Sequence, residues 1–324
     1  MPPPPGRRRR RPSASSCRRG EAVVRRWTRT AIPYYLSVSP FFVLFAVFGV
    51  FPLLVAGYLS LHRWDGLGPM RYVGFDQFTR LVDDPDFWHA LITTLEIFVM
   101  AQVPLAVAAL TAAFLLSNPR LRLRGLYQTI YFLPQVTSIV VIAIVFSSLF
   151  SSNFGLINRT LGWLHLPTVN WMADTWGVNT VIALMIIWRG FGYLVLFFLA
   201  GMAAIPPEVY EAAEIDGARP ARQLWSITLP MLRPTIVFAM LTGIVGGMQV
   251  FTEPQVLVGS QGTDSPGVTM MLLQYDYIGQ NPVAGAQTDL GYASAIGWAV
   301  FVVVALASVA SWAAMRATAD KEPN

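Results

Sequence analysis

Residues 211–230 read EAAEIDGARPARQLWSITLP, and their residue types fall at fixed intervals. Glu211, Ala212 and Ala213 lead to Asp216 and Gly217, and then to Ile227, Leu229 and Pro230. This set holds no nucleophile–base pair and no phosphate cradle, so the chemistry it offers is recognition. Small alanines permit close docking, and Glu211 permits a charge-assisted contact with a basic group on a partner. Pro206 and Pro207 predict a helix start, because proline suits the first turn. Glu208 and Glu211 then lie near its positive end. Gly217 predicts a left-handed closure. A second short helix is expected from about Pro220 to Ser226, with Pro230 restricting its continuation. The expected product is a compact helix–turn–helix within 205–234.

A second group of polar residues sits inside apolar sequence. Arg189 falls in IIWRGFGYL, where a charge costs several kcal/mol unless it finds water or a partner. Glu253 and Glu96 are candidate partners. Trp188 and Tyr193 offer flat faces on which a ring can stack, and Gln249 lies four residues before Glu253, on one face of an expected helix. Two readings stand side by side: a structural Arg–Glu pair, or a set of substrate contacts.

The elements that must position these residues are helices in a membrane. Hydrophobic residues make up 54% of the 324, charged residues 13%, and the mean hydropathy is +0.51. A soluble domain carries roughly 25% charged residues. Six apolar blocks, about 40–61, 91–117, 127–150, 179–204, 235–258 and 291–315, each approach the roughly 20 residues needed to cross a bilayer. None shows the charged face of a soluble amphipathic helix. The expected fold is all-α and polytopic, with a basic tail over 1–32, a transmembrane domain over 33–318 and a short tail over 319–324.

Arginine placement orients the chain. By this assignment 18 of the 23 basic residues fall on the side of the two termini and the 205–234 loop, four on the other side, and Arg189 within a span. The positive-inside rule puts both termini and the loop in the cytoplasm. Residues 62–90, 151–178 and 259–290 then face outward.

Other classes are excluded by what the chain lacks. Lys321 is the only lysine, in ATADKEPN, far from any glycine-rich turn, so no Walker loop is available for ATP. His62, His89 and His165 show no metal-ligand spacing, and Cys17 is the only cysteine. The run MPPPPGRRRRR lacks the aromatics or folded module of a nucleic-acid site and reads as a solvated basic tail. The chain is read as carrying no catalytic residues, metal or cofactor of its own.

The 211–230 pattern resembles the EAA loop of bacterial ABC importer permeases: E-A-A, three residues, Gly, nine residues, Ile, one residue, Leu-Pro. The resemblance covers roughly residues 40–315 and points to the maltose-type carbohydrate permeases. LSLHRWDGLGPMRYVGFD (59–76), FWHALITTL (87–95), RGLYQTIYFLPQV (124–136), FGLINRTLG (154–162) and FFLAGMAAIPPEVYEAAEIDGA (197–218) carry it in order. Two departures lie near the expected substrate side. The usual tryptophan is absent from IVFSSLFSS, and GSQGTDSPGVT (259–269) replaces a T-G-G-P turn.

The resemblance implies a type I importer permease in the bacterial inner membrane, working by alternating access. It further implies a second permease subunit, a cytoplasmic ATPase dimer binding ATP and Mg, and an extracytoplasmic binding protein delivering a mono-, di- or oligosaccharide. In that frame Glu211, Ala212, Ala213, Asp216, Gly217, Ile227, Leu229 and Pro230 couple to the ATPase, and Trp188, Arg189, Tyr193, Gln249 and Glu253 lie on the substrate path. The alternative class is a secondary transporter or channel for a small polar solute. Six spans with no clear internal repeat fit the common transporter folds poorly.

Overall fold

The computed structural model of the protein describes residues 34–118, 121–259, 265–279 and 288–319, with side chains described as far as Ala313. The expected basic tail over 1–32 lies outside these residues, as do 320–324. The chain divides at Val55/Ala56 into two compact units.

The first unit contributes apolar helix that is exposed throughout Phe41–Phe51, with a π-helical turn at Ala46–Val50. This stretch belongs to α1 (Tyr34–Leu59). The second unit begins with the end of α1. It continues through a short antiparallel hairpin, β1 (His62–Arg63) and β2 (Arg71–Tyr72), then α2 (Asp76–Asp83) and α3 (Pro85–Ser117). After α3 come α4 (Arg124–Val136), α5 (Ile139–Leu149), α6 (Leu156–Trp163) and α7 (Thr175–Met202). Then follow α8 (Pro207–Ile215), α9 (Pro220–Met231), α10 (Arg233–Met248), α11 (Thr252–Leu257), α12 (Met270–Tyr277) and α13 (Leu290–Ala319).

Among the described residues four helices are long and apolar enough to cross a membrane: α1, α3, α7 and α13. Two bent pairs, α4 with α5 and α9 with α10, bring the number to six if each counts as one span. The third expected span is therefore not one helix. It turns by 94° after Val136, where Thr137 and Ser138 both adopt extended backbone. The Thr137 hydroxyl donates to the Leu133 carbonyl, offering the chain a local alternative to the helix ladder. The fifth span, expected as 235–258, also breaks: α10 stops at Met248 and α11 starts at Thr252. An unbroken helix there would drive the Pro254 ring into the carbonyl of Val250.

Helix α3 is about 50 Å long by its residue count. Asp84 caps its start by accepting from the Asp86 N–H at 3.0 Å, with Pro85 in the first turn. Asp174 caps α7 in the same way, through the Gly177 N–H. The two helices run parallel and pack along their length. Ile97 meets Val178 and Ile182, Leu105 lies against Gly190, and Ala109, Ala113 and Leu116 meet Val195, Leu199 and Met202. Parallel packing is what two spans crossing in the same direction require. Gly192 of α7 sits directly beneath the Tyr131 carbonyl of α4, a contact that leaves no room for a Cβ.

The two ends of this bundle differ in chemistry. At the start of α3, Phe87 and Ala90 pack with Met270, Leu273, Tyr292 and Ile296. A polar network lies over them, in which Asp289 accepts from Arg80 at 3.1 Å, from Gln77, and from the Tyr292 N–H. Tyr292 donates in turn to Asp84, and the Arg80 guanidinium stacks over the Tyr292 ring at 4.1 Å. Burial and the nearby Asp84 hold the Tyr277 hydroxyl above its usual pKa. In the preceding loop, the backbone N–H groups of Gly68 and Leu67 hold Asp65 below the usual carboxylate range. The segments expected to face outward, 62–90 and the end of 259–290, thus meet at one end. At the other end Leu116, Met202, Ile205 and Leu232 form the base from which α8 and α9 project.

Candidate functional site

Two features of the second unit hold the residues singled out by sequence: a projecting loop, and a cavity between α3, α7, α10 and α11.

In the loop, Pro206 caps α8 and Pro207 occupies its first turn, with Glu208 beside it. The helix ends in a Schellman closure. Ala218 N–H donates to the Ala213 carbonyl at 2.9 Å, and Gly217 N–H donates to the Glu214 carbonyl at 3.0 Å. Gly217 takes φ 74°, the left-handed region that favours glycine, and no atom lies within 4 Å of where a Cβ would stand. Asp216 is the C-cap residue.

Helix α9 departs from expectation. It does not stop before Pro230: an α-turn over Pro220–Gln223 passes into a π-helical turn over Leu224–Thr228 and resumes over Leu229–Met231. Pro230 falls in the first turn of that last piece, where its missing N–H costs little. The chain turns only after Met231, by 72°, into α10.

Of the motif residues, Glu211, Ala212, Asp216 and Gly217 are exposed, and Ala213 is buried beneath them. Ile227, Leu229 and Pro230 are half-buried and belong to the stem rather than the tip. Two large apolar side chains stand out on the loop: Ile215 is 87% exposed and Trp225 72%. Sequence reading also missed the internal ties. Tyr210 and Thr228 share a hydroxyl–hydroxyl hydrogen bond, and the buried Gln223 donates to the Ala218 carbonyl. A tyrosine and a glutamine flanking the motif were the available signal.

The cavity has a volume of about 510 Å³. Arg189, Tyr193, Gln249 and Glu253 all line it. Trp188 does not. It lies away from the cavity, 46% exposed, with its ring centroid 6.0 Å from that of Phe146. Gln249 and Glu253 do reach a common space, but not as neighbours on one helix. Gln249 closes α10 and Glu253 opens α11.

Neither expected carboxylate pairs with Arg189. Glu96 accepts from Asn179 at 2.9 Å instead. Among the described residues the ion pairs are Arg63–Asp76 and Arg80–Asp289. Arg189 is near enough to Glu253 for its charge to be felt there, and its Nε is buried without a hydrogen-bond partner. Arg189 and Glu253 thus form no direct ion pair here, and both line the cavity.

Gln102 of α3 also lines the cavity, beside Gly243. Its signal in the sequence was a lone amide in the apolar run IFVMAQVPLAV. Gly243 and Gly247 let α10 approach Gln102 and Phe98 closely, while Gly246 faces open space. The described residues contain no group of three or more metal-ligating side chains.

Residues 102–319, two thirds of the chain, match the family model of binding-protein-dependent transport system inner membrane components. The chain belongs to this family. It is 36% identical to the lactose transport system permease protein LacF of Rhizobium radiobacter, over 87% of this chain and 93% of that protein. It is 32% identical to the arabinooligosaccharides transport system permease protein AraP of Bacillus subtilis, over 88% of each. In three dimensions it matches a chain of a bacterial alginate ABC transporter solved in complex with an alginate pentasaccharide-bound periplasmic protein. The TM-score is 0.75 at 22% identity, covering 87% of this chain and 93% of that one. The fold is that of an ABC importer permease, and as an inner membrane component of several apolar helices the protein is a multi-pass membrane protein.

Proposed function

We propose that this permease is one membrane subunit of an ATP-driven, binding-protein-dependent carbohydrate importer working by alternating access. The observation that carries the reading is full-length likeness to sugar-transport permeases, LacF and AraP among them, each over more than four fifths of both chains. The cavity supports it: a space of about 510 Å³ lined by an arginine, a glutamate, two amides and a tyrosine suits a polyhydroxylated solute.

The remaining parts belong to other chains. A second permease completes the pathway, and a cytoplasmic ATPase dimer binds ATP and Mg. An extracytoplasmic binding protein delivers the sugar. The loop of α8 and α9 docks the ATPase through Glu211, Ala212 and the exposed Ile215 and Trp225. Both termini and this loop face the cytoplasm, as the arginine asymmetry requires. ATP binding favours the outward-facing state because the docked loops fit the closed ATPase dimer better, and only such a difference in affinity shifts a conformational equilibrium.

The test is uptake by proteoliposomes containing the whole transporter, supplied with its binding protein. Sugar should enter only with ATP inside, and ionophores that collapse ion gradients should leave uptake intact. Uptake that survives without ATP but stops with the ion gradient would overturn the proposal.

A further inference from the structure

The cavity holds one positive and one negative side chain, and neither is paired with the other. Arg189 comes from the middle of α7, while Glu253 is buried in the first turn of α11. In a low-dielectric setting two opposite charges gain steeply by closing to contact. Here the interruption at Gln249–Phe251 sets Glu253 on a separate short helix, and no ion pair joins it to Arg189. The cavity wall also carries the amides of Gln102 and Gln249, and open space beside Gly246. The cavity thus presents a half-buried donor, whose Nε is buried without a partner, and a buried acceptor, one side chain of each sign facing a shared volume.

Resting on the carbohydrate reading above, we infer that this cavity selects uncharged sugar units over sugars bearing a carboxylate. A neutral ring receives hydrogen bonds from Arg189 at one hydroxyl and donates another hydroxyl proton to Glu253, so each buried charge is satisfied and the balance is unchanged. A uronic acid gains Arg189 but brings a second anion into a wall that already contains Glu253. Like charges brought together in a desolvated site are a device for rejecting the wrong partner. Glu253 is the discriminating residue and Arg189 the orienting donor.

The experiment uses the whole transporter, purified without its binding protein so that only the permease pathway is read. In a Cys17→Ser background, Gly246→Cys places a thiol in the open part of the cavity, and Thr242→Cys serves as a second reporter. Rates of maleimide alkylation are measured against the methyl glycosides of glucose and galactose and of their 6-carboxylate counterparts. Ala221→Cys, on the exposed loop, controls for general effects.

The expected result is that a neutral glycoside slows alkylation, while its uronate requires a concentration about tenfold higher for the same protection. Glu253→Gln should close that gap while protection by the neutral glycoside persists. A uronate protecting as well as its neutral partner, or a gap unchanged by Glu253→Gln, would overturn the charge selection and leave the carbohydrate reading standing. Protection by neither class at both reporters would remove both readings.

Discussion

The hydroxyls of Tyr210 and Thr228 lie 3.0 Å apart and join α8 to α9 across the loop. Thr228 directs its own proton to the Gln223 carbonyl at 3.2 Å, so Tyr210 is the donor in the pair. The loop is thereby held as one body rather than two independent helices. Tyr210→Phe should lower the stability of the permease by about 0.5–1.5 kcal/mol, the usual net value of one such bond. Thr228→Val should cost more, because it leaves the tyrosine hydroxyl without its acceptor. Thermal unfolding of the purified complex, with bound ATPase measured alongside, checks both.

Gly217 and Glu211 separate shape from charge. At φ 74° a Cβ costs about 1–2 kcal/mol, and the open space around Gly217 adds no clash, so Gly217→Ala should weaken the loop only modestly. Gly217→Pro should do far more, since proline cannot adopt that φ and loses the bond to the Glu214 carbonyl. Glu211 is exposed, so Glu211→Lys should leave the stability of this chain within about 0.5 kcal/mol. It should nevertheless release the ATPase or abolish substrate-stimulated turnover. Wild-type ATPase retention and turnover in both Gly217→Pro and Glu211→Lys would reduce the loop to a connector.

Orientation is read by labelling intact cells in a Cys17→Ser background. Ser152→Cys, between α5 and α6, should react with a membrane-impermeant maleimide, and Ala221→Cys in α9 should not. Labelling at position 221 from outside would refute the orientation argued from the arginines. Ser260, another position expected outside, lies beyond the described residues.

Helix contact should make two glycines behave oppositely. Any Cβ at Gly192 meets the Tyr131 backbone carbonyl, so Gly192→Ala forces α4 away from α7. Overpacking of this kind costs about 1–3 kcal/mol or more. Gly246→Ala meets nothing within 4 Å and should be tolerated in folding. Expression yield and unfolding temperature of the two variants should differ in that order.

The sequence by itself determined the class and the loop. Hydropathy over some 20 residues is a property of local composition. The spacing of Pro207, Glu211 and Gly217 encodes a helix start, a charged face and a left-handed stop within one short segment. Such signals need no distant partner, and the backbone answers them directly at Pro206–Ala218.

The cavity was legible only in part. Arg189, Tyr193, Gln249 and Glu253 were identifiable as polar groups in apolar surroundings, but their mutual geometry was not. Tertiary structure alone decided that α4 and α5 bend by 94°, that Gln249 and Glu253 sit on different helices, and that Glu96 is engaged by Asn179. It also turned Trp188 outward and brought Gln102 in beside Gly243. The physical reason is that a helix break is a contest between local backbone strain and distant packing, and facing depends on which neighbours fill the groove. Which of Trp188 and Arg189 reaches the cavity depends on how the neighbouring helices pack around α7, with Phe146 beside Trp188, and no local signal in the sequence encodes that.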